Sequence, residues 1–573
     1  MKTMRKYNYL FSGVLAFIEV LLLTALLKKD LSWSWSPISI PITGFIVTLI
    51  WAAQLYFVVR AKAPQAVGNL AVDFTQRPSV FVSVICCIGF LFLWLLFAII
   101  VFTSRPQQYQ TSQQVNDYFE KIRDDHVILT AFLTAMPKGG DLHHHYSGSI
   151  YGETYWNMLT DSDGWMNPYS LEVDTVGARH KPPWKHFNAL RSEMWFDSLK
   201  QAFLRKVSVK NYDELIGPTD QHFFSTFARL TAVESYDMQK CLQELKKRAV
   251  AENVHYIETM LGSPDTAIQL STGPAWEQSM TGALLSDSTS VLDTLNKVYA
   301  ALITAGVTNT ATKFCHKLDL LHQKATIDDS AFMMRYQLHA NRSAPPLSVY
   351  RKLLIAFHSA SLDSLVVGVN LVSPEDGEVS MRDYSLHMLM FAHLHRHYPN
   401  IKYALHAGEL ASGMVQPELL RYHIRQAIFV AGAQRIGHGV DIAHEAHCVE
   451  LLNTMSKRKI PVEINLSSNE FILHVKNEKH PIMLYHSHKV PIIISTDDAG
   501  VLRTDLTQQY ILLATRYPSL PYIEIKKIVR NSIAFSFLQP NLKRQKLQQL
   551  DKALSEFEND VLRNNQASES SIK

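Results

Sequence analysis

Cysteine is scarce in this chain: there are five in 573 residues and no Cys-x-x-Cys pair. Cys86 and Cys87 lie in an apolar run, and Cys241, Cys315 and Cys448 are scattered. That indicates neither a thiolate metal cluster nor a disulfide framework. Charge is also thin. Charged residues make up 19% and the net charge is only +4, which argues against a nucleic-acid binder. No tandem sequence repeat is present. Apolar residues, by contrast, reach 47%, over a length that suits one large domain plus an appendage.

Three apolar runs open the chain, at about residues 10–27, 38–59 and 80–102. Each approaches or exceeds the ~18–20 residues that cross a bilayer, so residues 1–102 are expected to form three transmembrane helices. Lys2, Arg5 and Lys6 precede the first run, and Arg60, Lys62 and Arg77 separate the second and third. Lys28 and Lys29 follow the first, and Arg105 the third. This slight bias puts the first two segments in the cytoplasm and everything after Phe102 on the extracytoplasmic side of the plasma or inner membrane. Glu19 is the one acidic residue within a run. The other two runs offer it no charged partner, so the spans read as an anchor. Residues 103–114 are polar and aperiodic, and are expected to be a linker.

From about Val115 to Lys573 the pattern alternates between helix-like stretches and short buried strands. Val254–Leu261, Leu365–Val372, Lys402–His406, Pro461–Leu466 and Val490–Thr496 are rich in Val, Ile and Leu, as parallel strands covered on both faces are. Leu142 marks a first strand, Ala311–Leu318 is a weaker third, and Arg435–Gly437 a sixth. About eight β–α repeats predict an α/β fold, a (β/α)₈ barrel. A long insertion, residues 156–227, carries Trp165, Trp184, Trp195, Phe223, Phe224 and Phe227. It reads equally as a lid or as an ordinarily packed helical subdomain. The end, Asn564–Lys573, is polar and expected to fray.

Polar residues gather at the carboxyl ends of these strands, where such barrels keep their active sites. His143 and His145 are one residue apart on strand one, and alternate strand side chains share a face. His406 ends strand five, His438 strand six, and Asp497 and Asp498 strand eight. Barrel closure brings strand eight beside strand one. His143, His145, His406 and Asp497 would then form a three-histidine, one-carboxylate set suited to Zn²⁺ with an open position. By contrast, His393 and His395 sit on a helix, where i and i+2 do not share a face. His486 and His488 precede strand eight, and His444 and His447 read as an exposed helix face.

These residues resemble the adenosine deaminase family, and more closely its larger, growth-factor-related branch, over roughly Val115–Leu550. The signatures are Met136-Pro-Lys-Gly with Leu142-His-His-His145, Tyr256-Ile-Glu258, Leu405-His-Ala-Gly-Glu409, Arg435-Ile-Gly-His-Gly439, Ser468-Asn469, His480-Pro481, Ser495-Thr-Asp-Asp498, and Asn531-Ser-Ile with Ser536-Phe-Leu538. The resemblance implies one zinc on His143, His145, His406 and Asp497. It implies Glu409 as proton shuttle at purine N1, His438 orienting the attacking hydroxide, and Asp498 bonding the imidazole ring of the base. The expected reaction is deamination of adenosine, or a close 6-aminopurine nucleoside, to inosine and ammonia. Three positions depart from the pattern. Ser147 stands where the small-nucleoside branch has a ribose-contacting Asp. Ser373 stands where a Gly amide meets purine N3, and can still offer its own amide to the substrate. Ala499 replaces a Pro. A two-metal hydrolase would need a bridging Lys ending strand four, and Val366–Val372 has none. An inactive receptor or scaffold would have no need of the whole polar set.

Overall fold

The computed structural model describes residues 110–571, apart from 176–180, 235, 267, 269 and 284–287. The three apolar runs expected to span a membrane, with Glu19, lie outside the described residues. Among the described residues no helix is long and apolar enough to cross a membrane. Residues 110–122 are helical, so the second half of the expected linker is already part of the folded domain. There, Ser112 Oγ donates to Glu558 at 3.0 Å.

Eight parallel strands form the centre: β1 Gly139–His145, β2 Val254–Gly262, β3 Met333–Asn341, β4 Val366–Val372, β5 Ala404–Ala407, β6 Arg435–His438, β7 Val462–Ile464 and β8 Ile492–Ile494. They pair in sequence order as β1–β4 and β5–β8. A bridge from Val369 to Tyr403 joins β4 to β5, and one from His144 to Asp497 joins β1 to the turn after β8. The ring is thereby closed as a barrel. Helices follow the strands, among them Pro346–Leu362, Tyr384–His397, Cys448–Arg458 and Leu506–Arg516. Burial on both faces explains why β4 and β8 read as apolar runs.

Strand three differs from expectation. Ala311–Leu318 lies within the helix Val307–Lys324, and its Lys313, His316 and Lys317 belong to that helix. The true β3 alternates instead. Tyr336 points outward to His322 at 2.9 Å, while Gln337 points inward to Leu142 O at 3.2 Å and to Glu258 at 3.1 Å. Polar inward positions broke the apolar run that marks the other strands. The stretch 416–430 is a chain of short 3₁₀, α and π turns. The polar C-terminus continues the helix Pro540–Ser571 as far as Ser571.

The insertion packs around its own aromatics. Trp156 is buried, with the rings of Phe187, Phe196 and Phe203 at 6.0, 5.2 and 5.5 Å. Val209 N donates to Val501 O at 2.9 Å, which ties this subdomain to the loop after β8. Trp156 is thus a core residue of the insertion.

The amino-terminal end of the barrel is closed by a charged plug. Buried Arg435 bonds Glu258 at 2.7 Å and also pairs with Glu463, with its guanidinium 3.7 Å from the Phe537 ring centroid. Phe537 N donates to Glu258 at 2.6 Å. Each buried charge here has a partner, as burial requires.

Candidate active site

His143 and His145 share the interior face of β1, as their spacing predicts. His144 faces the other way, to Thr259 Oγ1 at 2.9 Å. His406 closes β5 and His438 closes β6, while Asp497 follows β8. The structure brings all the expected ligands together. His143, His406, His438 and Asp497 offer atoms within 4.8 Å of one another, and His145, Asp497 and Asp498 form an overlapping group. His145 Nε2 lies 3.1 Å from His406 Nε2 and 3.2 Å from Asp497 Oδ1.

Space for this cluster depends on two glycines. A Cβ on Gly437 would stand 2.7 Å from the His143 ring, and one on Gly148 would coincide with the Asp498 carboxyl at 1.6 Å.

Hydrogen bonds fix which ring nitrogens face inward. His143 Nδ1 donates to Glu463 at 2.8 Å. His143 Nε2 is buried without a hydrogen-bond partner and faces Asp497 Oδ1 at 3.4 Å. Either a second proton or a cation must separate that nitrogen from the carboxylate. Burial opposes a second proton, yet Asp497 and Glu463 outweigh it and raise the His143 pKa to about 10. His406 Nδ1 donates to Asn370 Oδ1 at 2.9 Å, so Nε2 presents its lone pair. Asn370 is oriented by donating to Gln337 Oε1 at 3.2 Å. A ring whose outer N–H is held by a carboxylate or amide oxygen is arranged as a metal ligand. Inward-facing imidazole nitrogens beside one buried carboxylate suit a divalent ion of borderline softness.

Glu409 stands at the edge of this cluster, 3.6 Å from His438. Burial first, then Asp497 and Glu375, push its pKa well above the usual carboxylate range. Asp498 behaves likewise: burial and the adjacent Asp497 raise it well above that range, and its Oδ1 has no partner. Ser373 follows β4 with φ +90°, a conformation that favours the glycine expected there. Ser147 O accepts from Tyr155 Oη at 2.8 Å.

Sequence reasoning missed several supports. Glu375 accepts from Gly408 N at 3.0 Å, Glu409 N at 2.8 Å and His423 Nδ1 at 2.5 Å. Burial opposes its charge, but His423, Arg342 and these contacts hold its pKa at about 2. Asn370 and Glu463 are polar residues inside apolar strand runs, a signal that could have marked them. His339, at the end of β3, has a buried Nδ1 without a partner and lies 6.5 Å, ring to ring, from His145. The other histidine pairs stay out of the site. His393 bonds Tyr350 Oη at 2.8 Å and Asn296 at 2.9 Å, and His444 and His447 are exposed.

Comparison with known proteins supplies a second line. The adenosine deaminase family model matches residues 319–553, a span that contains Glu375, His406, Glu409, His438, Glu463, Asp497 and Asp498 but begins after His143 and His145. The adenosine deaminase of Clostridium kluyveri is 31% identical over 137 residues, covering 24% of this chain and 37% of that protein. The N6-methyl-AMP deaminase of Danio rerio is 29% identical over 164 residues, covering 28% and 43%. The chain thus spans about two-fifths of the length of the curated relatives it matches. Among solved structures, Arabidopsis N6-mAMP deaminase aligns with a TM-score of 0.45 at 20% identity, over 74% of this chain and 99% of that one. Arabidopsis ADAL complexed with IMP aligns with a TM-score of 0.46 at 19% identity, over 74% and 99%.

Proposed function

We propose, taking residues 319–553 as a match to the adenosine deaminase family, that this chain is a zinc-dependent aminohydrolase. Its substrate would be adenosine or a close 6-aminopurine nucleoside, and its products inosine, or the matching 6-oxopurine, and ammonia. The observation that carries this reading is the buried His143 Nε2, held toward Asp497 by Glu463 and left without a hydrogen-bond partner.

His143, His145, His406 and Asp497 would hold the ion. Zinc there supplies the acidification of water, to a pKa of about 7, that attack on a purine carbon at neutral pH requires. The protein's own groups account for the rest. Glu409, protonated, donates to purine N1 and makes C6 electrophilic. His438 Nε2–H orients the attacking water. Asp498, also protonated, donates to the acceptor nitrogen of the imidazole ring. Of the two protons of the attacking water, one passes to the amine, which leaves as ammonia, and the other restores the proton that Glu409 gave to N1.

Ser147 leaves the place beside His145 without a fixed negative charge, so a phosphorylated sugar would meet no acidic side chain at that position. The test therefore assays the full chain for the 6-oxopurine product and the released amine, ammonia from adenosine and AMP and methylamine from N6-methyl-AMP, with and without a zinc chelator. Chelator-sensitive release from adenosine is expected. A protein that binds zinc and forms the 6-oxopurine from none of the three would overturn the reaction. Glu409→Gln is expected to lower kcat by on the order of 100-fold or more at normal zinc content. Full activity in that variant would remove Glu409 from its role.

A further inference from the structure

Two sequence signatures, Ser468-Asn469 and His480-Pro481, have no part in the mechanism above. Their placement is specific. Pro481 has no N–H, so the first backbone donor after His480 is Ile482 N, which donates to His480 Nδ1 at 3.2 Å. A ring nitrogen that accepts from a backbone amide carries no proton. The His480 proton is therefore on Nε2, which lies 3.1 Å from Asn469 Oδ1. The Asn469 oxygen is thereby the acceptor, and its Nδ2 donates to His438 Nδ1 at 3.0 Å. Asn465 Nδ2, 3.5 Å from the same nitrogen, presents a second amide donor. His438 Nδ1 is therefore a lone pair, and its proton sits on Nε2, facing the ligand cluster. All four side chains, His438, Asn465, Asn469 and His480, are buried, so water does not compete for these bonds.

We propose that Asn469 and His480 are positioning residues that lock His438 as the Nε2–H tautomer, making it a donor to the attacking water and excluding it as a metal ligand. Geometry makes the lock necessary. His438 sits in the same cluster of atoms, within 4.8 Å, as His143, His406 and Asp497. With the opposite tautomer its Nε2 lone pair would compete for the ion. The three imidazoles are sorted by what touches Nδ1. An oxygen acceptor on His143 and His406 frees Nε2 to bind metal, while on His438 the amide donor of Asn469 at 3.0 Å, nearer than Glu409 Oε1 at 3.6 Å, forbids it. The inference rests on the function proposed above.

The test uses the full chain, stripped of metal and reloaded with Co²⁺, whose visible absorption reports the ligand set. Asn469→Asp replaces the amide donor with a carboxylate that accepts from both histidines and moves the His438 proton to Nδ1. We expect kcat to fall on the order of 100-fold, KM to stay within about threefold, and the Co²⁺ spectrum to change as His438 joins the ligands. His480→Gln keeps a donor to Asn469 and is expected to keep the wild-type spectrum and nearly full kcat. His480→Ala frees Asn469 to rotate and is expected to change both. This pair carries the test if Asn469→Asp does not fold. An unchanged Co²⁺ spectrum in Asn469→Asp or His480→Ala overturns the lock, whatever happens to kcat. A wild-type chain that neither takes up Co²⁺ nor deaminates adenosine overturns the function itself, and is seen before any variant is made.

Discussion

At the residue scale, the cluster works through protons placed by burial. Glu409 and Asp498 are buried carboxyl groups, and burial together with Asp497 raises both well above the usual carboxylate range, which favours the protonated form. A protonated acid can donate to a ring nitrogen, which an ionised one cannot. Packing matters as much as charge here. Gly437 faces the His143 ring so closely that a methyl group has no room. Gly437→Ala is therefore expected to push that ring out of line and weaken metal binding by about 10- to 100-fold, read as zinc per chain after dialysis. Ser373 has φ +90°, so Ser373→Gly is expected to stabilise the fold by about 1 kcal/mol, read as a rise in Tm.

At the scale of elements, two buried carboxylates join strands that are distant in sequence. Glu463 on β7 binds Arg435 on β6 below and His143 on β1 above. Glu463→Gln is expected to lower metal affinity and also to cost about 3–5 kcal/mol in a denaturant melt, because Arg435 loses a partner in the core. Glu375 joins the loop after β4 to the turn carrying Glu409. Its pKa is about 2 in the fold against 4.5 for the free group. The stabilisation from this depressed pKa is complete above about pH 4.5 and is lost as pH falls from there toward 2. Thermal melts from pH 6 to 3 should show this loss, amounting to about 3 kcal/mol at full protonation. Glu375→Gln should flatten that part of the curve.

At the scale of the whole molecule, residues 110–571 carry a barrel with its ligand cluster at one mouth and an ionic plug at the other end. The runs at residues 10–27, 38–59 and 80–102 are expected to keep the chain in the membrane fraction through alkaline carbonate extraction. A variant beginning at Arg105 should appear in the soluble fraction. Recovery of the full chain in the carbonate supernatant would remove the anchor.

How much of this was legible in the sequence varies with the range of the interaction. Strand positions such as Val254–Leu261 and Leu365–Val372 were legible because burial on both faces leaves a continuous apolar run. His143 and His145 were legible because a two-residue spacing on a strand is a local fact. Ala311–Leu318 reads as a strand in sequence but is helical, and β3 is hidden, because the inward face of β3 is polar: Gln337 answers to Leu142 and Glu258 on other strands, and Arg335 to Asp328 in the loop before it. Glu375, Asn370 and Glu463 were not assigned for the same reason, since each serves a partner more than thirty residues away. Sequence by itself determined the alternation of elements and the kinds of side chain available for chemistry. Only the tertiary structure decided which nitrogen of His143, His406 and His438 faces the cluster and which carboxyls are pushed toward the protonated form. Tautomer and pKa are set by neighbours brought together through folding, and no spacing along the chain records them.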